Sequence, residues 1–313
     1  MSTARSEPAA PAARPTGAQI ALRRAGASAV VTEVGAGLRS WCVDGVELLD
    51  TFPAGAPADS YRGKVLAPWP NRVRDGRYVF GGVAHRLALN EPERGAALHG
   101  LVLDERFAVV ARATHAVTLA CDLRARPGYP FALRVEVEYS LGDAGLSFAL
   151  RATNTGDGPA PFGGGLHPYL RGRADDWVLE VPAATRVPVD ERMLPSGPPV
   201  AVAGTADDFT RARAVGAQRI DTCFGDLARD GDGRARVRLA GPEREIEVWL
   251  DERFRFVHVY TAHAVDDPAR ARAGIAIEPI TCAPDAFNSG AGLEVLEPGA
   301  AVTARCGLQA RRP

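Results

Sequence analysis

The sequence predicts an all-β fold in which antiparallel strands pack face to face. Apolar and polar residues alternate along many short segments, as they do in strands with one buried face. From Phe131 to Tyr139, apolar side chains occupy almost every second position while Arg134 and two glutamates fall on the other face. Turn-forming pairs such as Asp44-Gly45 and Gly142-Asp143 separate such segments at short intervals. Short strands joined by frequent turns are typical of a sandwich or a barrel.

The same alternation recurs along the rest of the chain. It is found in residues 117–123, 146–150, 237–239, 246–250 and 302–308. The best helical candidate, residues 205–215, has too few apolar residues at helical spacing. Neither a linker nor an internal repeat is visible. We therefore predict a disordered Ala/Pro-rich tail over residues 1–17 and a single β-sandwich domain over residues 18–313.

Composition narrows the classes of function. The net charge is −1 with no block of either sign, which argues against nucleic acid or an anionic membrane as a partner. No apolar stretch approaches the length of a membrane span. The five cysteines are scattered and form no C-x-x-C pair, which fits a reducing compartment and predicts a cytoplasmic protein. Lys64 is the only lysine, so a Schiff base would have to form there.

An unbroken apolar run that begins at Ile275 ends on a single carboxylate, Glu278. The following Pro279 lacks a backbone donor, so we expect the strand to end at Glu278. A carboxylate at the mouth of a buried strand makes a good base, because burial raises its pKa from roughly 4.3. The alternative is a glutamate at a strand end that points into solvent.

His167 is the second candidate catalytic residue. It follows three glycines, which would let the backbone approach a ligand closely, and it precedes Pro168, which fixes the chain. A histidine with a pKa near roughly 6.5 is a natural proton donor at neutral pH. The glycines would also be explained by a simple bulge.

Further polar residues at strand ends are candidate ligand contacts. Asn71 and Arg72 offer several N–H donors that suit sugar hydroxyls or a carboxylate, although a solvated hairpin would look the same. His99 lies beside a glycine in a loop, and Asp221 lies in an apolar context. Each of these two also has an ordinary structural interpretation, as an exposed loop residue or a turn former.

Several site types are not predicted. His258 and His263 are five residues apart, so on one strand they would face opposite sides. Because no H-x-H or H-E-x-x-H pattern occurs either, we predict no metal site. The G-x-S-x-G, P-loop and G-x-G-x-x-G patterns are also absent, so no serine hydrolase, nucleotide or dinucleotide site is predicted.

Six segments, taken together and in order, resemble the aldose 1-epimerase (galactose mutarotase) family. They are PWPNRVRDGRY (68–78), LHG (98–100), GLHPY (165–169), IDTCF (220–224), VHVYT (257–261) and IEPITCAPDAFNSG (277–290). The resemblance covers essentially the whole predicted domain. The forms Trp-Pro-Asn-Arg-Val-Arg-Asp-Gly and Glu-Pro-x-Thr-Cys point to a bacterial subgroup whose substrate is less certain.

The resemblance implies a large antiparallel β-sandwich with the supersandwich arrangement of galactose mutarotase. It also implies a general base at Glu278 and a general acid at His167. The residues implied to hold the sugar are Asn71, Arg72, His99, Asp221 and His258. His258 departs from the pattern, because mutarotases often have glutamine there, so its sugar contact stays open.

We therefore predict a cofactor-independent isomerase of carbohydrate metabolism that interconverts the α and β anomers of an aldohexose. Its expected partner is a small sugar, and its expected state is a monomer or homodimer. One alternative is a carbohydrate-binding sandwich without activity. Another is an epimerase of a phosphorylated or otherwise anionic sugar, with Arg72, Arg74 and Arg77 around the anion. A glycosidase would need Asp221 as a second catalytic carboxylate beside Glu278.

Overall fold

The computed structural model describes residues 14–242 and 244–311. Most of the tail predicted as disordered, residues 1–13, lies outside the described residues. Thr16, within the predicted tail, is instead buried, and its carbonyl accepts a hydrogen bond from the Val34 N–H at 3.1 Å. Ordered chain therefore begins before the predicted boundary. Among the described residues, none of the helices is long and apolar enough to cross a membrane.

Strands are the predominant regular structure of the described chain. The first part contains β1 (Gln19–Arg24), β2 (Ala27–Thr32), β3 (Leu38–Val43), β4 (Val46–Glu47), β5 (Val65–Leu66), β6 (Arg72–Arg74), β7 (Arg77–Phe80), β8 (Val83–Arg86), β9 (Ala96–Leu98), β10 (Ala108–Arg112), β11 (Ala116–Leu123), β12 (Leu133–Gly142), β13 (Gly145–Asn154) and β14 (Ala160–Phe162). The second part contains β15 (Gly165–Leu166), β16 (Tyr169–Arg171), β17 (Val178–Glu180), β18 (Ala183–Arg186), β19 (Val200–Ala201), β20 (Arg213–Ala214), β21 (Asp221–Leu227), β22 (Ala235–Ala240), β23 (Glu245–Leu250), β24 (Phe256–Tyr260), β25 (Gly274–Ile280), β26 (Glu294–Leu296) and β27 (Ala301–Arg311). The helical elements are the short α1 (Ala286–Ser289) and 3-10 turns at Asp59–Tyr61, Pro92–Arg94, Ala174–Asp176 and Pro268–Arg270.

Two large antiparallel sheets form the body of the protein. Within the described residues, the larger has nine strands in the order β10-β11-β12-β13-β27-β23-β22-β17-β20. The other has the order β19-β18-β21-β24-β25-β15-β5, and β16 also pairs with β25. Smaller sheets are formed by β1 to β4, by β14 with β26, by β6 with β9 and by β7 with β8.

A shared core between the two large sheets confirms the predicted sandwich. Val135 of β12 and Leu150 of β13 belong to the same buried cluster as Val259 of β24 and Ile277 of β25. The alternation that predicted these strands is visible in burial. Along β12, alternate residues from Leu133 onward are fully buried, and the intervening ones are half-buried or exposed. Burial of such apolar side chains is the main force that holds the two sheets together.

The predicted end of the strand at Glu278 is wrong. β25 continues through Pro279, which pairs with Val257 of β24, and ends at Ile280. Every residue of this strand is buried. Glu278 therefore lies inside a central strand of the eight-strand sheet and not at its mouth.

The opposite edge of β25 explains how the strand tolerates Pro279. β15 and β16 flank that edge, and the gap between them contains His167 and Pro168. The Ile277 N–H donates to the Pro168 carbonyl at 3.3 Å. Alternate N–H groups of a strand point to the same side, so the nitrogen of Pro279 faces this same edge. The N–H that proline lacks would point to the part of this edge where the partner strand is interrupted, next to His167.

Candidate active site

All seven residues predicted from the sequence line one cavity of about 440 Å³. They are Glu278, His167, Asn71, Arg72, His99, Asp221 and His258. The side chains of Asn71, Arg72 and His99 are buried, so the interpretations as a solvated hairpin and an exposed loop histidine do not hold. The structure brings the seven together, and their chemical roles stay predictions.

Three neighbouring strands place the acidic side of the cavity. Asp221 begins β21, His258 lies in the middle of β24, and Glu278 lies in β25. His258 and Glu278 are directly opposite each other in the register, so their side chains share one face of the sheet. The Nε2 atom of His258 lies 2.7 Å from Oδ1 of Asp221.

Glu278 is a buried carboxylate, not a solvated one. Its exposed fraction is 2%. Burial raises its pKa to about 7, and the positive charges of His258 and Arg72 limit the rise. A carboxylate with a pKa near neutral is suited to accept and release protons at neutral pH.

His167 lies between β15 and β16 and faces Glu278. Its Nε2 atom is 3.3 Å from Oε1 of Glu278. The backbone is fixed on both sides, because its N–H donates to the Lys64 carbonyl at 3.0 Å and its carbonyl accepts from the Gly63 N–H at 2.8 Å. The ring stacks on Tyr169 with centroids 5.0 Å apart. These contacts hold the imidazole in one orientation toward the carboxylate.

The protonation of His167 differs from the sequence-based expectation. Burial, together with the positive charge of His258, lowers the pKa of His167 to about 3. At neutral pH the ring is therefore neutral. As the pH falls, the carboxylate of Glu278 is therefore protonated before the ring of His167.

The glycines before His167 have a packing role. A Cβ atom at Gly163 would collide with Sγ of Cys282, and one at Gly164 would collide with the side chain of Leu150. The close approach that glycine permits is therefore to the protein's own core, and this explains these glycines without a ligand.

Asn71 and His99 hold each other in place. The Asn71 N–H donates to Nδ1 of His99 at 3.1 Å, and the His99 N–H donates to the Asn71 carbonyl at 2.9 Å. Burial lowers the pKa of His99 well below its usual value, so the ring is neutral. Since Nδ1 accepts a hydrogen bond, the ring proton lies on Nε2. His99 is therefore a fixed hydrogen-bond donor at its Nε2 atom.

Arg72 has a partner that the sequence analysis missed. Its Nε and Nη2 atoms donate to the two carboxylate oxygens of Glu91 at 2.6 and 2.7 Å. Both residues are buried, with exposed fractions of 9% each. This two-bond contact fixes the plane of the guanidinium. The two residues lie 19 apart in the chain, and no sequence pattern indicated the pairing.

Tyr61 is a second lining residue that the sequence analysis missed. Its ring lies 4.6 Å from that of His99, edge to face, and 6.3 Å from that of His167. Two hydrogen bonds hold the loop that carries Tyr61. The Ser60 N–H donates to the carboxylate of Asp266 at 2.8 Å, and the Asp266 N–H donates to Oγ of Ser60 at 3.0 Å. An aromatic ring beside these histidines offers an apolar face to a sugar.

His263 also lines the cavity. It lies beyond the end of β24, after a turn in which Ala262 has a φ of 50°, so the strand-parity argument does not apply to it. Its Nδ1 atom is 3.1 Å from the hydroxyl of Thr261. The sequence analysis did not predict His263 as a site residue, because it treated His258 and His263 as parts of one strand. The sequence did not reveal that the strand ends at Tyr260.

Lys64, considered for a Schiff base, and Arg74 and Arg77, considered as anion contacts, lie outside the cavity. Arg74 donates to the Pro195 carbonyl at 2.6 Å, and Arg77 is exposed at the start of β7. Nζ of Lys64 donates to the Leu103 carbonyl at 2.5 Å. Among the described residues, none of the three lines the cavity.

The charges around the cavity favour an uncharged ligand. In the described part of the chain, the ionisable acidic and guanidinium groups that line it are Glu91, Glu93, Asp221, Asp266 and Glu278 against Arg72 and Arg94. Even with a protonated His258, the carboxylates outnumber the cations. An anionic sugar would therefore meet net repulsion here, even with one of the carboxylates neutralised.

Comparisons with known proteins agree with the resemblance seen in the sequence. The family model described as aldose 1-epimerase matches residues 18–309. The Escherichia coli K12 protein YihR, described as uncharacterized, is 32% identical over 292 residues, which cover 91% of this chain and 90% of that protein. The galactose mutarotase of Mus musculus is 28% identical over 233 residues, or 68% of this chain and 66% of that protein.

Solved structures share the fold. A GalM/aldose epimerase homologue from C. elegans superposes with a TM-score of 0.83 at 20% identity, covering 94% of this chain and 99% of that one. A galactose 1-epimerase from Lactobacillus acidophilus superposes with a TM-score of 0.79 at 21% identity, covering 94% of each chain. The antiparallel sandwich of this protein is thus of the galactose mutarotase type.

Proposed function

Because this chain belongs to the aldose 1-epimerase family, we propose that it interconverts the α and β anomers of a neutral aldohexose. The observation that supports this most is the buried pair of Glu278 and His167, whose facing atoms are 3.3 Å apart. A carboxylate and an imidazole in contact inside a sugar-sized cavity can exchange protons with two neighbouring oxygen atoms of one ligand. Mutarotation requires that exchange.

The proposed reaction moves one proton from the anomeric oxygen to the ring oxygen. Glu278 accepts the proton of the C1 hydroxyl, and His167 donates a proton to the ring oxygen as the bond from C1 to that oxygen breaks. The product is the open-chain aldehyde. Rotation about the C1–C2 bond presents the other face of the carbonyl, and closure with the two roles exchanged gives the other anomer.

The protonation state of the pair sets a requirement on substrate binding. Before a sugar binds, the shared proton lies on Glu278, since the pKa of Glu278 is about 7 and that of His167 is about 3. A C1 hydroxyl that donates a hydrogen bond to Glu278 stabilises the ionised carboxylate. The proton then passes to His167 across the short contact between them. Binding the sugar thus prepares the base and the acid in one step.

The remaining lining groups hold the sugar in this proposal. His99 donates from Nε2, and Arg72 presents the part of its guanidinium that Glu91 does not occupy. Tyr61 covers one face. Fixed donors reduce the entropy lost on binding, because the protein groups are already ordered.

Polarimetry on freshly dissolved α-glucose and α-galactose tests the proposal. We expect a rate of approach to the equilibrium rotation that is proportional to protein concentration. Glucose 6-phosphate should give a kcat/KM at least about tenfold lower, because one repulsive contact of about 1.4 kcal/mol suffices for that factor. A faster reaction with the phosphate would favour the anionic-sugar alternative. Calorimetric binding of glucose without acceleration would favour a carbohydrate-binding protein.

Glu91→Gln tests how Arg72 is held. The substitution keeps the shape of the side chain but replaces a charge-assisted contact with a neutral one. Hydrogen bonds to charged groups contribute about 1.5–3 kcal/mol, so we expect the KM for the sugar to rise roughly tenfold while kcat changes less. Glu252→Gln, at an exposed turn, is the matched control. An unchanged KM in Glu91→Gln would show that Arg72 does not need this partner.

A further inference from the structure

His258 and Asp221 form an ion pair that the reaction above does not use. His258 is buried, with an exposed fraction of 5%, and its Nε2 atom lies 2.7 Å from Oδ1 of Asp221. Its other ring nitrogen, Nδ1, is also buried, and Cys223 lies directly opposite His258 on β21. Asp221 therefore occupies Nε2 of His258, although the resemblance implied a sugar contact at this position.

The register places His258 against the base. β24 and β25 pair so that His258 and Glu278 are direct partners across the two strands. Directly opposed side chains of an antiparallel pair have Cβ atoms about 5 Å apart. A protonated imidazole on the same face therefore acts on the buried carboxylate with little screening by water.

Building on the proposed function, we propose that His258 is a positioning residue: Glu278 and Asp221 on the two neighbouring strands keep its ring protonated, and its charge lets the buried Glu278 ionise at neutral pH. Asp221 lies on the strand next to β24 and orients the ring. Glu278, on the other neighbouring strand, receives the effect of the positive charge. The three residues form a row on one face of β21, β24 and β25, in which Glu278 is directly opposite His258 and Asp221 is diagonal to it.

The other charged and titratable groups around this row do not supply the same charge. They are Cys223 on β21, Arg72 on β6, His99 after β9, His167 between β15 and β16, Tyr169 on β16, Tyr260 at the end of β24 and His263 beyond it. Burial lowers the pKa values of His99 and His167, so both rings are neutral at pH 7. Arg72 is charged, but Glu91 takes two of its donors. His258 is therefore the cation that acts on Glu278. Its anionic partner, Asp221, lies on β21, and Glu278 lies on β25, on the other side of β24.

The directions of the pKa shifts agree with this geometry. Burial alone would lower the pKa of His258, but the charge of Glu278 and the hydrogen bond to Asp221 raise it to about 10. Burial also opposes ionisation of Asp221, yet the hydrogen bond from His258 leaves the pKa of Asp221 below its usual value. Burial raises the pKa of Glu278, and His258 is the leading influence in the opposite direction.

His258→Gln removes the charge and keeps a hydrogen-bonding side chain. The measurement is the titration of the Glu278 carboxyl carbon by ¹³C NMR, with the signal assigned by its absence in Glu278→Gln. We expect its midpoint to move to higher pH by at least about one unit, the smallest shift typical of a charge within 4–6 Å. The pH above which kcat/KM declines should rise with it. His115→Gln, at an exposed position, should leave the midpoint unchanged.

An unmoved midpoint in folded His258→Gln, with a raised KM for the sugar, would overturn the proposal in favour of a sugar contact. If that variant does not fold, the ring ¹⁵N shifts of His258 in the intact protein decide, because a protonated ring is expected at pH 8 and a neutral ring there contradicts the proposal. Neither NMR measurement depends on turnover. A protein without mutarotase activity but with the expected titrations would therefore refute the function and leave the ion pair and its effect on Glu278 standing.

Discussion

Glu278→Gln is expected to lower kcat for mutarotation by about 10²–10⁴-fold, the range typical of one proton-transfer group. Glutamine keeps the size of the side chain and its place in β25 but cannot accept the proton of the C1 hydroxyl. The sugar contacts made by other residues remain, so KM should change much less than kcat. Polarimetry at saturating sugar measures the loss directly.

Glu138→Gln is a suitable control, since Glu138 is exposed on β12 and far from the cavity in the sheet order. Its activity should equal that of the unmodified protein. A Glu278→Gln variant with a native circular dichroism spectrum and near-normal kcat would eliminate Glu278 as the base. Asp221 would then be the next carboxylate of the cavity to test.

The strands could be predicted because their signal is local. Alternation over β12 reports which face is buried, and the structure has that face in the core. The family resemblance predicted that Glu278 and His167 belong to one site, because each lies in a short motif of the family, and both residues line the cavity. Both kinds of information lie in short stretches of the chain.

What could not be predicted depends on contacts between distant parts of the chain. The pairing of Arg72 with Glu91 is set by how β6 meets the loop before β9, which no spacing in the sequence reveals. Pro279 was expected to end its strand, because a proline breaks a hydrogen-bond ladder on average. The gap between β15 and β16 that accommodates it exists only in the folded sheet.

The pKa values could not be predicted for the same reason. The residue types alone suggest a base near 4.3 and an acid near 6.5, with the productive form dominant between roughly those pH values. Burial instead raises the pKa of Glu278 to about 7 and lowers the pKa of His167 to about 3. The pair then carries one proton between these limits, mostly on Glu278. A bell-shaped profile of kcat/KM is still expected, with its alkaline decline near pH 7, where the pair loses that proton.

His167→Asn is expected to lower kcat by about 10²–10⁴-fold and to change the pH dependence of what remains. In the unmodified protein, kcat/KM should fall as the pH rises through about 7, because the pair loses the proton that His167 must donate. Without the imidazole, residual catalysis depends on ionised Glu278 alone. Its rate should therefore rise through the same pH range. Polarimetry from pH 5 to 9, corrected for the uncatalysed reaction, measures both slopes.

The reversal of slope separates a proton donor from a merely structural histidine. His167 packs against Tyr169, so asparagine will also cost some stability, and a thermal melt must show that the variant is folded. A packing defect would lower the rate equally at every pH and leave the slope unchanged. Groups that act as one unit are not additive, so Glu278→Gln/His167→Asn should lose little more activity than either single variant. Losses that multiply in the double variant would mean that the two residues act independently, and the paired mechanism would have to be abandoned.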